Sequence, residues 1–298
     1  MANVDVNTVA TKVAQSIKGA TVTPQSVSKG NGVVLTGLVI KGEKNMAPII
    51  YIDDLIAEGM NEDQIAYDVV KTYYRYKPED NLDADAMTDW GKVKGSIKAK
   101  AVNNTPENTD GRPYRVLEGT DIAIVYYVDL SEGDVAFPEV SGQTPTVNVR
   151  DDYMSSLGVT EQDLYEAAIA NESVEIDSIG NVLAQIMGTL PASGEEAPML
   201  VVSNDKKLFG AGLLADPEVL TQIADNLGDG YYILPSSIHE FLAVPGEGMD
   251  ETKLAEMVME VNSMAVAPEE QLSNNVFKYV GGKLTQVSSA PAPAVLVA

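Results

Sequence analysis

Apolar residues recur at helical spacing near the start of the chain. Val6, Val9, Ala10, Val13, Ala14 and Ile17 share one face over residues 5–18, and Gly19 ends the run. Two apolar runs follow, Val33–Ile40 and Ala47–Ile52, with polar Lys41–Asn45 between them, which predicts a hairpin. Asn61-Glu-Asp-Gln opens a second helix that presents Ile65, Val69, Val70 and Tyr73. Met87, Trp90, Val93 and Ile97 form an apolar stripe that predicts a helix over Ala84–Ala101, with Trp90 as a core or groove anchor. Asn103–Gly111 is rich in turn formers and reads as a loop. Asp121–Asp129 is almost continuously apolar and β-branched, the pattern of a strand covered on both faces. Pro145–Val149 is a further short strand.

In the second half, Thr160-Glu-Gln-Asp caps a helix that stops near Asn171. A shorter helix is expected over Ser178–Met187, and Ala192–Ala197 is expected to be a surface loop. Met199–Val202 and Lys207–Leu214 read as paired strands around a tight turn. Asp216-Pro217 starts a helix that Gly228 ends. Tyr231–Leu234 and Phe241–Val244 are short strands closed by Pro235 and Pro245, since proline cannot donate to a ladder. Asp250–Ser263 is a helix with Leu254, Met257, Val258 and Val261 on one side, and Val276–Val280 and Leu284–Val287 form a last hairpin around Gly281-Gly282. Helices and strands mix without strict alternation, so the expected class is α+β or mixed α/β, with mostly antiparallel sheets and packed helices. The expected division is an N-terminal subdomain over residues 1–142, a second over 143–287, and a flexible Ala/Pro-rich tail over 288–298.

Composition narrows the chemistry. With no cysteine in 298 residues, disulfides and cysteine-ligated metals are excluded, and one histidine excludes any site built on two. The net charge is -24, which opposes direct binding to nucleic-acid phosphates or anionic lipid. Charge is uneven: residues 1–50 hold five lysines against two acids, whereas Asp151–Asp205 holds eleven acids and no Lys or Arg. That acidic stretch reads as a solvated face; its sharper reading is a surface that blocks a basic host partner. No basic leader followed by an apolar core opens the chain and no run of 18 apolar residues occurs, so a cytoplasmic protein is expected.

Candidate chemistry centres on Gly230–Pro245, which carries the lone His239 with Ser236, Ser237 and Glu240. A serine hydrolase needs a base within reach of the hydroxyl and an acid to orient the base. In an extended segment Ser237 and His239 share a face and Glu240 points away. The competing reading is that these side chains satisfy backbone groups at a strand-end turn. Asp53 and Asp54 close a strand; they suit an oxygen-ligated metal or a base, or they cap the next helix. Gly210-Ala-Gly212 lacks the spacing of a phosphate loop and reads as close strand packing. No cofactor motif survives inspection.

Tyr232-Ile-Leu-Pro-Ser-Ser-Ile-His-Glu240 resembles the signature of a bacterial family catalogued as domain of unknown function 5688. Gly32–Ile40 with Ala47–Asp53, Asp121–Tyr126, Ala168 and Asn171, Ser203-Asn204, Gly210-Ala211, Val261-Asn262 and Glu270–Ser273 resemble its other segments, over roughly residues 28–287. The resemblance implies a bacterial protein associated with mobile elements and brings no activity or catalytic residues. The expected function is a non-enzymatic binding or interaction protein with a protein or small-molecule partner, sited near His239. The alternatives are a hydrolase using Ser236 or Ser237 with His239 and an acid from Glu240, Asp53 or Asp54, and the acidic blocker.

Overall fold

A computed structural model of the chain describes residues 4–77, 82–131, 133–136, 145–182 and 199–288. The chain forms two compact units, Met1–Ser96 with Asp129–Val147, and Ile97–Val128 with Asn148–Ala298. The class is α+β, and the strand pairings described are antiparallel.

In the first unit, α1 (Val6–Ser16) begins at Asp5, whose carboxylate accepts the Asn7 amide at 3.0 Å, and buries Val9, Ala10 and Val13. Strand β1 (Thr21–Gly30) pairs with β2 (Val33–Lys41), and β2 pairs with β3 (Ile49–Tyr51). The expected hairpin is β2–β3; β1 carries no hydrophobic signal. Its Thr, Gln and Ser residues alternate with few apolar ones, and Pro24 is tolerated because β1 is an edge strand. The β1–β2 turn is Asn31-Gly32, both at positive φ (51° and 76°), the backbone that makes Asn-Gly a hairpin turn. Helix α2 (Asp53–Ala57) follows, then α3 (Glu62–Tyr76), with a reciprocal capping box between Asn61 and Gln64. Ile65, Val69 and Tyr73 of α3 join Val9, Val13, Leu38, Ile40 and Ile52 in one core.

The helix expected over Ala84–Ala101 is replaced by α4 (Ala84–Met87), α5 (Trp90–Val93), a 3-10 turn over Lys94–Ser96, and strand β4 (Ile97–Asn103). The reason is local. Asp89 turns outward to cap the Gly91 amide, so the first helix stops, and Ile97-Lys-Ala-Lys-Ala-Val then alternates with period two. Trp90 is half-buried.

In the second unit, α6 (Pro106–Thr109) lies within the expected loop, and β5 (Tyr114–Val116) precedes β6 (Ile122–Asp129), every residue of which is buried. The sheet order is β4-β6-β5, and β7 (Thr146–Asn148) also pairs with β6. Helix α7 (Asp151–Leu157) ends on left-handed Gly158, and α8 (Glu161–Asn171) starts from a Thr160–Asp163 capping box. Strands β8 (Glu175–Ser178) and β9 (Leu200–Ser203), helix α9 (Pro217–Leu227), β10 (Tyr232–Leu234), β11 (Phe241–Val244), α10 (Glu251–Ala265), β12 (Val276–Val280) and β13 (Lys283–Ser288) complete the chain. They build a six-stranded sheet in the order β13-β12-β10-β11-β9-β8. Ser178 therefore ends a strand, where a helix was expected; residues 179–182 are helical, and the remainder of that expected helix, the Ala192–Ala197 loop and the tail beyond residue 288 lie outside the described residues.

Lys207–Leu214 is a loop and a 3-10 helix (Gly210–Ala215), not a strand. Strand β9 instead pairs with β8 and β11. The two glycines are required by close approach: a Cβ on Gly212 would lie 2.4 Å from the Ala99 carbonyl oxygen, and one on Gly210 2.6 Å from that of His239.

Burial raises the Tyr126 and Tyr231 phenols above their ordinary range, and for Tyr126 the hydrogen bond it donates to Glu161 adds to this. These groups stay protonated in the fold after the unfolded chain begins to lose its phenol protons near pH 10, so stability must fall as pH rises past that point. Urea melts of the native protein should lose about 1.4 kcal/mol per pH unit for each such tyrosine between about pH 10 and 11, and the slope should be shallower in Tyr126→Phe.

Candidate functional site

The His239 turn joins β10 to β11, which pair in the register Tyr232↔Val244, Ile233↔Ala243 and Leu234↔Leu242. A crossing segment holds its backbone. The amides of Leu272 and Ser273 donate to the carbonyls of Ser236 and Pro235 at 3.2 and 3.0 Å, and the Ile238 amide donates to the Glu270 carbonyl at 2.9 Å. Ser237 is buried, and its hydroxyl accepts the His239 backbone amide at 3.0 Å. The Ser203 hydroxyl donates to the His239 carbonyl at 2.8 Å.

The imidazole is equally occupied. Its Nδ1 accepts the Phe209 backbone amide at 3.2 Å, which places the proton of the neutral ring on Nε2, 3.4 Å from Glu270 Oε1. The ring stacks on Phe209 with centroids 5.5 Å apart and planes 14° from parallel. Phe209 also meets the Lys100 ammonium, 4.1 Å from its centroid, and the edge of Tyr127 at 5.2 Å. Phe209 holds this place with φ at +57°, a left-handed backbone that is costly for an aromatic residue. Among the described residues no serine hydroxyl hydrogen-bonds to the imidazole, and Glu240 is half-buried outside its partners. The serines and the histidine are brought together through backbone groups, the arrangement of a structural latch.

Behind this latch lies a buried charge pair that neither spacing nor composition announces. Lys98 and Glu172 keep only 8% and 3% of their side chains exposed, with Nζ 3.6 Å from Oε2. Lys98 Nζ donates to the Asn171 carbonyl at 2.5 Å. Asn204 Nδ2 donates to Glu172 Oε1 and to the Leu208 carbonyl, both at 2.8 Å, and its Oδ1 accepts the Leu208 amide at 3.1 Å. Asn204 thus closes the loop that delivers Phe209. A second, half-buried node is Asp121, whose carboxylate accepts from the Ser273 hydroxyl and from the side-chain amides of Asn275 and Asn103.

The other sequence candidates fall elsewhere. Asp53 and Asp54 occupy the first turn of α2, in the first unit; Asp53 accepts the Thr36 amide at 2.7 Å and Asp54 is exposed. Among the described residues no three His, Asp or Glu side chains gather as metal ligands. Several acids of Asp151–Asp205 are engaged inside the second unit: Glu161 with Arg115, Glu172 with Lys98, Glu175 with Lys207, Asp163 with Thr160 and Asp205 with Ser173. Those two hydrogen bonds hold Asp163 and Asp205 below the usual carboxylate range.

The second unit also contains a cleft of about 320 Å³. Its walls are the β5–β6 turn (Leu117, Glu118, Gly119), the β12–β13 hairpin and the segment entering α9. Leu117, Leu214, Ala215, Pro217, Leu220 and Leu284 make it apolar. The Gln286 amide donates to the Gly119 carbonyl at 2.9 Å and fixes two of the walls together. Gly119 sits at φ +82°, and a Cβ there would fall 2.1 Å from the Leu284 carbonyl oxygen. Tyr279 lines the cleft and packs on Tyr231 at 5.1 Å, whose hydroxyl donates to the Leu220 carbonyl at 3.1 Å. Glu118 and Lys283 stand exposed at the mouth, and among the described residues neither forms an ion pair. Sequence reasoning missed this cleft; Gly119 and Gly281-Gly282 mark its turns, but its apolar wall comes from segments about 170 residues apart.

Fold and site together define an α+β protein with an apolar cleft beside a latched sheet. The chain belongs to a family of unknown function, DUF5688, whose model matches residues 5–280. No curated protein and no solved structure matches it. Among the described residues no helix is long and apolar enough to cross a membrane.

Removing one member of the buried pair strands the other without its countercharge. Lys98→Ala should cost about 3–5 kcal/mol in urea melts, and Lys98→Met combined with Glu172→Leu should recover most of that loss.

Proposed function

We propose that this protein is a non-catalytic binding protein that holds a small amphipathic molecule in the cleft of its second unit. The observation that carries this reading is the cleft itself: an apolar pocket of about 320 Å³ whose mouth holds a carboxylate and an ammonium that form no ion pair among the described residues. Ligand sites are concave, mostly apolar and provided with a few orienting polar groups, and they start at about 300 Å³. Burial of an apolar body supplies affinity, while Lys283 or Glu118 selects the polar end. The geometry of the His239 turn favours this reading over a hydrolase, because general-base catalysis requires an imidazole nitrogen within hydrogen-bond reach of the nucleophile. Here Nδ1 receives the Phe209 amide and Nε2 faces Glu270.

A protein-observed NMR screen of small aromatic and aliphatic acids and amines, on protein labelled at its leucine methyl groups, tests it. Hits should shift the methyl resonances of Leu117, Leu220 and Leu284. Thr285→Trp, which fills the cleft from an exposed strand position, should weaken hits about tenfold or more with little change in melting temperature. Lys283→Ala should weaken acids a few-fold and leave amines unaffected, as expected of a rim charge. Hits that shift other methyl groups, or that bind Thr285→Trp as well as the native protein, would overturn the reading.

A further inference from the structure

We propose that Arg112 and Arg150 form a binding site for a dianionic phosphoryl group, separate from the cleft and resting on none of the argument for it. Gly111 follows α6 with φ at +68°, and the Arg112 amide donates to the Thr109 carbonyl at 3.1 Å. The Asp151 amide donates to the Gly111 carbonyl at 3.2 Å, so the backbones that carry the two arginines are bonded side by side. The guanidinium of Arg150 lies across Gly111; a Cβ there would sit 3.5 Å from its Nη1.

What marks the pair is the lack of a partner among the described residues. Among the described residues neither guanidinium hydrogen-bonds to any group or pairs with a carboxylate. Arg115, three residues along, shows the ordinary outcome: it binds Glu161 through two nitrogens, reaches Gln162 at 2.6 Å, and lies 3.8 Å over the Tyr165 ring. In a chain with 44 acids and 20 basic residues, two adjoining arginines that pair with no acid among the described residues stand out. Arg112 is half-buried, and burial together with the neighbouring charge of Arg150 depresses its basicity. Each guanidinium carries five N–H donors; Arg150 is exposed, whereas the half-buried donors of Arg112 cost stability until something accepts from them.

The missing partner is an oxyanion. Two planar forks of the same charge match a tetrahedral group with two negative charges and several acceptor oxygens better than they match a single carboxylate. Asp110, Asp151 and Asp152 border the site and are exposed. Their field opposes anions at long range, so affinity must come from direct guanidinium bonds, and it should fall with added salt.

Calorimetry and 31P NMR at low ionic strength, with inorganic phosphate and phenyl phosphate as probes and acetate as control, test the proposal on the full chain. Saturable phosphate binding is expected, with acetate at least tenfold weaker; tighter binding of phenyl phosphate assigns the site to monoesters, and equal or weaker binding to free phosphate. Arg112→Gln and Arg150→Gln should each lose tenfold or more, and Arg150→Lys should retain part of the affinity. In phosphate-free buffer Arg150→Gln should melt no lower than the native protein, because it removes a like charge. Absence of saturable phosphate binding, survival of that binding in both glutamine variants, acetate binding as tight as phosphate, or a lower melting point for Arg150→Gln without phosphate would each overturn it.

Discussion

The second unit is built around a charge pair almost withdrawn from water. Lys98 enters from β4 and Glu172 from the end of α8, and each carries a desolvation cost that only good geometry offsets. The Asn171 carbonyl supplies one acceptor for Lys98 and Asn204 one donor for Glu172. Because Asn204 also bonds the amide and the carbonyl of Leu208, the same network sets the loop that places Phe209 against His239. Strand, helix, loop and latch are therefore joined in one run of contacts: the Lys98–Glu172 pair meets Asn204, Asn204 bonds Leu208, and the next residue, Phe209, meets the imidazole. Gly210 and Gly212 permit this coupling, since any side chain there would push the 3-10 segment off the carbonyls of His239 and Ala99.

Much of the fold was legible along the chain, for identifiable reasons. Capping residues announced α3, α8 and α9, because Asn61, Thr160 and Asp216 make bonds within three residues of themselves, and an apolar face announced α10. Continuous β-branched sequence announced β6, which is buried along its whole length. Where the reading failed, two periodicities competed. Met87, Trp90, Val93 and Ile97 fit a helical stripe, yet Ile97–Val102 alternates equally well, and pairing with β6 decided between them. Lys207–Leu214 looked like a strand by composition, but its glycines serve close approach inside a turn. Strand β1 was silent because an edge strand facing water needs no apolar face.

The site was legible only in part. Spacing alone placed Ser237 and His239 on one turn between two strands, and that turn exists. What spacing could not supply was the identity of the partners. Phe209, Glu270, Ser203 and Lys100 come from four other segments, and they turn a reactive-looking string into a set of satisfied backbone groups. Three of the segments quoted for the family resemblance, Ser203-Asn204, Gly210-Ala211 and Glu270–Ser273, meet around this turn. The cleft and the arginine pair left no local trace, since both are defined by what converges in space and by which charges go uncompensated.

The order in which the chain visits its two units has a consequence for how the protein is made. The polypeptide enters the second unit at Ile97, leaves after Val128 and returns at Asn148, and Ile97 and Val128 are direct partners in the β4–β6 ladder. Neither unit can be excised as one uninterrupted fragment. On the ribosome, β4 and β6 emerge well before the six-stranded sheet of their unit, whose last strand is β13. Strand β6, buried along its whole length, and the largely buried β4 must therefore wait, shielded by other means, while about 150 residues leading to β13 are still to be synthesised.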